Sequence, residues 1–202
     1  MEILKYIAVA LIGYLLGSVS FSVILTKLQF KTDVRDEGSG NAGATNVARV
    51  FGMKAGLFTL FCDILKTILP MFIGFVLLGD LGTAIAGIAA MLGHCFPVYF
   101  QFSGGKGVSV ASAIAIFCDL RICIISLIIF IIIVLITRYV SLGSIIAVTV
   151  LAINSMIFGI GNEEIFLLCY TAVMVIFMHR GNIKRLIKGE EPKFTIKSKK
   201  DN

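Results

Sequence analysis

Six stretches of this 202-residue chain, 3–28, 52–78, 81–102, 120–137, 139–160 and 163–179, are apolar almost from end to end. A helix needs about 20 such residues to cross the hydrocarbon core of a bilayer, so runs of this length predict membrane-spanning helices. The first run is too long for a secretory signal, has no small-residue cleavage site and leads straight into a polar motif, so it counts as a span. A shorter run, Val108 to Cys118, follows Gly104-Gly105-Lys106-Gly107 and is read as a seventh span because the charge placement agrees with it. Composition supports the same class: 58% of residues are apolar and 15% charged, against about 45–50% and 25% in soluble domains. A disordered chain and a disulfide scaffold are excluded. The five cysteines form no CxxC pair and lie in or beside apolar runs, as small buried hydrophobes do.

Charge gives the bundle its sides. Seven spans put the chain ends on opposite faces, and the Lys/Arg-rich end from Arg180 places the C-terminus in the cytoplasm and the N-terminus outside. Fifteen Lys and Arg then fall inside and two, Lys5 and Arg121, outside, with Lys66 within a span. The net charge of +6 therefore marks one membrane face and does not call for nucleic acid. The expected architecture is all-α: a seven-transmembrane-helix bundle over residues 1–190, followed by a basic cytoplasmic tail over 191–202. From Lys188 onward that end reads as solvated and near an anionic leaflet.

The polar residues gather at the cytoplasmic ends of the spans. In the segment from Asp33 to Arg49, Gly38, Gly40 and Gly43 allow left-handed backbone, so that amides can converge on an anion. Asn41, Thr45 and Asn46 add donors there, and Arg49 adds a fork suited to phosphate. Gly104-Gly105-Lys106-Gly107, opening a helix, reads as a second anion cradle with Lys106 at its centre. It is no nucleotide-hydrolysis loop, since the earlier glycine and the Ser/Thr that would bind Mg²⁺ are missing. Ser141 starts a helix and by itself suits an N-cap. His179 and Asn182 stand three apart, on one helical face. His94 reads as structural. Asp63 and Lys66, three apart within a span, are best explained as a mutual pair, because an isolated intramembrane charge is expensive.

Two anion sites beside an apolar bundle suit a soluble phosphorylated molecule meeting a lipid chain. Acyltransferases that use thioesters rely on an HxxxxD pair, but His94 has Tyr99 and His179 has Lys184 at the fifth position. No GxSxG elbow for an acyl-enzyme is present. An acyl phosphate donor, with its good leaving group, relaxes the demand for a protein base and fits two phosphate sites.

Several motifs in order carry a resemblance. They are Gly17-Ser18, Gly38-Ser39-Gly40-Asn41-x-Gly43-Ala44-Thr45-Asn46-x-x-Arg49, Asp63-x-x-Lys66, Gly93-His94-x-Phe96-Pro97-Val98-Tyr99 running into Gly104-Gly105-Lys106-Gly107-Val108, Tyr139-Val140-Ser141-Leu142, and His179-x-x-Asn182-Ile183-x-Arg185-Leu186. Together they resemble the bacterial acyl-phosphate:glycerol-3-phosphate acyltransferases over nearly the whole chain to about Glu191. Departures fall at Ser20, where the family usually shows proline, at Ser103, where lysine is common, and at Gly181.

The resemblance implies a multi-pass enzyme of the bacterial cytoplasmic (inner) membrane with its active site facing the cytoplasm. Such an enzyme moves a fatty acyl group from acyl phosphate to the sn-1 hydroxyl of glycerol 3-phosphate, with no metal and no cofactor. It implies Lys106, Arg49 and Ser39 as catalytic residues. Asn41, Gly43, Thr45, Asn46, Gly104, Gly105, Gly107, Ser141, His179 and Asn182 would bind substrate, His179 and Asn182 placing the glycerol 3-phosphate. The other readings of the same residues are a transporter or channel for an organic phosphate or other anion, and a scaffold whose basic tail holds anionic lipid. One-sided anion groups and the lack of paired repeats speak against a transporter.

Overall fold

The computed structural model describes residues 2–194, which fold as helices joined by short loops. Helices α1 (Glu2–Gly17) and α2 (Phe21–Phe30) form one apolar stretch interrupted at Ser18–Ser20. The interruption exists with serine at position 20, whose extended backbone (φ −92°, ψ 92°) caps α2. The loop after α2 leads to the short α3 (Ala44–Phe51), and Gly52 turns the chain into α4 (Met53–Cys95).

At 43 residues, α4 would be about 65 Å long if straight, roughly twice the hydrocarbon thickness. It is not straight. Gly79 has φ 64° and ψ −147°, a conformation that a β-carbon would oppose. Beyond it the chain doubles back so closely that a side-chain carbon on Gly74 would collide with the backbone of Gly82. The second half of α4 lies against α1 at equally short range. A β-carbon on Gly17 would strike the Ala90 backbone, and one on Gly93 would strike the Tyr14 and Gly17 backbones. Small residues at such seams let dispersion replace the hydrophobic drive that lipid cannot supply between helices.

Four more helices complete the bundle: α5 (Val108–Cys118), α6 (Leu120–Thr137), α7 (Val140–Phe158) and α8 (Asn162–Met178), with α9 (Arg180–Ile187) bent 58° from α8. Asp119 caps α6 by accepting from the Arg121 and Ile122 amides. The core joins α1, α4, α5, α7 and α8 around Met71, Met91, Ile114, Leu151, Leu167 and Leu168. The outer surface is as apolar as the inside: Leu57, Phe58, Phe61, Leu65, Leu69, Phe72 and Phe75 on α4 are all exposed. An exposed apolar face of that extent is what lipid solvates and water does not.

Four helical stretches are long and apolar enough to cross a membrane (Glu2–Phe30, Met53–Phe100, Leu120–Thr137 and Val140–Phe158), and the bent pair α8–α9 is a fifth. The expected runs 52–78 and 81–102 are the two halves of α4 on either side of the break at Gly79, and the run from Val108 is α5, with 11 residues.

The chain end also departs from a solvated tail. Glu191 is 8% exposed, because its carboxylate accepts from three side chains of the bundle, and the Phe194 amide donates to the Arg138 carbonyl (2.8 Å). Residues 195–202 of the expected tail lie outside the described residues.

Candidate active site

A cavity of about 510 Å³ runs between α4, α5, α6 and α7. Its polar end is built from the loop before α3, Lys106, the start of α7, and the bend between α8 and α9. From there it continues between apolar side chains down to Ile64, Ile116, Cys123 and Leu151. Ser141 and Leu151 are ten residues apart on α7, so the apolar arm is about 15 Å deep. Leu57 on α4 and Leu127 on α6 line the cavity and are each about half exposed.

At the polar end, backbone chemistry sets the positions. Gly38 and Gly40 take left-handed conformations (φ 59° and 69°), and Gly43 an extended one (φ −128°). Asn46, almost fully buried, stitches the loop together. Its amide donates to the carbonyls of Val34 (3.0 Å) and Glu37 (2.9 Å), and its oxygen accepts from the Ser39 amide (2.9 Å). Arg35 anchors the same loop to the turn after α4 by donating to the Phe100 carbonyl (3.0 Å). At the start of α3 the Asn46 amide donates to the Gly43 carbonyl (3.0 Å), while among the described residues the Ala44 and Thr45 amides have no backbone partner, as at any helix start.

Lys106 donates to Asn182 Oδ1 (2.7 Å), and Asn182 Nδ2 donates to Glu191 Oε1 (2.6 Å). The same carboxylate accepts from Ser141 Oγ (2.6 Å) and from Arg185 Nε (2.7 Å). Burial would push the Glu191 carboxyl up, but these hydrogen bonds outweigh it and hold the group below its ordinary value. Lys106 is pushed down, first by burial and then by the Arg185 charge, with Glu191 opposing and Arg49 adding. A half-buried ammonium paired, among the described residues, only with a neutral amide suits an anionic ligand. The Val175 carbonyl, which can only accept, lies 2.7 Å from His179 Nδ1. The proton of neutral His179 therefore sits on Nδ1, and Nε2 carries the lone pair.

Of the thirteen residues expected at the site, ten line the cavity: Ser39, Asn41, Gly43, Thr45, Asn46, Arg49, Lys106, Ser141, His179 and Asn182. Gly104, Gly105 and Gly107 do not line it. The Gly105 amide donates to the His94 carbonyl (3.1 Å), so that one amide is already engaged. The loop's glycines let the chain pass against the end of α4: side-chain carbons at 104 and 105 would overlap the His94 backbone and ring, and one at 107 the Met91 sulfur. Ser141 is not an N-cap; Tyr139 occupies that position, and the Ser141 hydroxyl goes to Glu191.

Arg185, Glu191 and His94 line the cavity without having been singled out for it. Arg185 sits within a quoted motif, but Glu191 lies in a charged end where nothing local distinguishes it from a solvated carboxylate. Asp63 and Lys66 form the expected pair (2.8 Å).

Comparison with known proteins agrees with this architecture. Residues 7–189 match the family described as glycerol-3-phosphate acyltransferase. A glycerol-3-phosphate acyltransferase of Finegoldia magna is 40% identical over 198 residues, covering 96% of this chain and 98% of that protein. One from Thermoanaerobacter pseudethanolicus is 42% identical over 190 residues, covering 94% and 96%. Among solved structures, the glycerol 3-phosphate form of PlsY, an integral membrane glycerol 3-phosphate acyltransferase, superposes with a TM-score of 0.89 at 35% identity, covering 94% of this chain and 96% of that one. Its lysophosphatidic acid form superposes with a TM-score of 0.87 at the same identity. With a matching family spanning most of its length and relatives at about 40% identity, this chain belongs to the glycerol-3-phosphate acyltransferase family.

Proposed function

We propose that the protein transfers a fatty acyl group from acyl phosphate to the sn-1 hydroxyl of glycerol 3-phosphate, giving lysophosphatidic acid and inorganic phosphate. The observation that carries this reading is the shape of the cavity, in which a cationic mouth is continuous with an apolar arm. Glycerol 3-phosphate enters the mouth from water, and the acyl chain reaches the arm from the bilayer between Leu57 and Leu127. In this scheme Lys106 and Arg49 hold phosphate charge, with Ser39 beside them. Asn41, Thr45, Ser141, His179 and Asn182 fix the glycerol 3-phosphate.

The hydroxyl oxygen attacks the acyl carbon, the carbon–oxygen bond to phosphate breaks, and the departing phosphate takes the bonding pair. A phosphate oxygen accepts the hydroxyl proton. Catalysis then rests on positioning and charge stabilisation, without a covalent intermediate. Residues 1–190 would supply the acyltransferase domain, needing neither metal nor cofactor.

The chain would cross the bacterial inner membrane seven times if α4 counts as two crossings on either side of Gly79 and α5 as one. The N-terminus would be outside, and the mouth and C-terminus in the cytoplasm. The decisive assay gives purified protein in detergent both acyl phosphate and glycerol 3-phosphate. Phosphate release with formation of lysophosphatidic acid is expected, and a folded protein producing neither would overturn the reading.

A further inference from the structure

Below the Lys106 loop, a second polar cluster is buried in the bundle beside the cavity. All three protons of the Lys66 ammonium are engaged: with Asp63 Oδ1 (2.8 Å), with the Val19 carbonyl at the interruption between α1 and α2 (2.7 Å), and with His94 Nδ1 (3.1 Å). The other Asp63 oxygen accepts from Ser109 Oγ on α5 (3.1 Å), three residues after Lys106. Asp63, Lys66 and His94 are all less than a tenth exposed. A mutual ion pair explains Asp63 and Lys66, but not why the lysine also holds a histidine.

Hydrogen-bond roles decide what the histidine does. A lysine ammonium can only donate, so Nδ1 of His94 must accept, and the neutral ring carries its proton on Nε2. Among the described residues Nε2 has no hydrogen-bond partner. The ring lines the cavity, and its Nε2 edge faces Gly105, where a side-chain carbon would collide with it. Glycine at 105 keeps a side chain off that donor, one residue from Lys106. His179, across the mouth, is held in the opposite tautomer by the Val175 carbonyl. One histidine therefore presents an N–H and the other a lone pair.

The geometry points to His94 as a further substrate-contacting residue, its Nε2–H donating to a phosphate oxygen in the cavity, with the Asp63–Lys66 pair as the positioning device that fixes its tautomer. This rests on the functional reading above, which brings phosphate oxygens to the site from two sources, glycerol 3-phosphate and the acyl donor. Both present the same acceptor, and the experiment separates them.

The chain has only two histidines, so ring-nitrogen NMR of the full protein in detergent micelles, ¹⁵N-labelled at histidine and assigned with a His94→Gln variant, resolves them. His94 is expected as the Nε2–H tautomer and His179 as the Nδ1–H tautomer. Glycerol 3-phosphate is added to one sample. The other receives an acyl phosphate mimic with a methylene in place of the bridging oxygen. The His94 Nε2 signal is expected to move with at least one of them.

In the kinetic assay His94→Phe raises KM for that same substrate by about tenfold or more, as loss of a hydrogen bond to a charged group does. His94→Gln, which keeps a donor, recovers part of it. A proton found on Nδ1 of His94, or an Nε2 signal that neither ligand moves, overturns the inference. If the wild-type chain still transfers acyl groups in that case, only this inference falls. A wild-type chain that transfers none overturns the functional reading, and the assigned ligand goes with it.

Discussion

The two glycine-rich loops look alike on paper and do different work in the fold. The loop from Gly38 to Gly43 turns outward into the cavity mouth, with Ser39, Asn41 and Gly43 all on its lining. The loop from Gly104 to Gly107 turns its glycines inward, against His94 and Met91, and offers the cavity a single side chain, Lys106. In the first, Gly38 and Gly40 hold left-handed backbone, with Gly38 also making room for Asn46; in the second, Gly104 and Gly105 clear space for His94, and Gly107 does so for Met91 while itself left-handed (φ 82°). Glycine content therefore identifies a loop that must be unusual without saying whether its amides or its closeness matter. The distinction lies in the partner: Gly105 donates to the His94 carbonyl, whereas the first loop is braced by the Asn46 side chain.

Substitutions test the contrast at graded strength. Lys106→Ala should have the largest effect. If the second loop exists to deliver that ammonium, turnover falls at least about a hundredfold, as when other charge-stabilising donors are removed, while helix content and melting in detergent stay near wild type. A folded variant with near-normal turnover breaks the comparison.

Gly104→Ala comes next. Its new carbon would overlap the carbonyl oxygens of His94 and Cys95, and overpacking of this kind costs about 1–3 kcal/mol. Both melting temperature and turnover should drop, and unchanged stability would show that the loop has room to move.

Glu191→Gln is expected to act through the Asn182–Lys106 contact. The lowered pKa of Glu191 means that its stabilising effect is complete above the ordinary carboxylate value, about 4.3, and is lost as pH falls through the lower folded value. Acid melting profiles should therefore show a wild-type loss below about pH 4 that the variant lacks; parallel profiles would remove Glu191 from this role.

Gly43→Ala should do least. Its extended backbone suits any residue, and the new carbon meets only the Asn41 side-chain amide, which can swing away. A stability change within about 0.5 kcal/mol is expected, and a loss as large as that of Gly104→Ala would erase the difference between the loops.

Much of the architecture is legible in the chain, because apolar runs and span ends are local properties. The runs at 120–137 and 139–160 correspond to α6 and α7 within two residues at each end. The site is legible where a residue type implies its chemistry, as with Lys106, Arg49 and Asn182. It is not legible where meaning depends on a distant partner. Glu191 acquires its place from Ser141, fifty residues earlier, and neither its neighbours nor its spacing announce that contact. His94 is similar, since its tautomer is set by Lys66, twenty-eight residues away on the other half of α4.

The burial of Glu191 also bears on the order of events during synthesis. A chain is made from its N-terminus, and every long apolar helix described above precedes residue 191. The carboxylate that braces Asn182, Ser141 and Arg185 is thus translated after all of them. A nascent bundle can be inserted while its cationic mouth is still unbraced, and the mouth is completed only once Glu191 has been added.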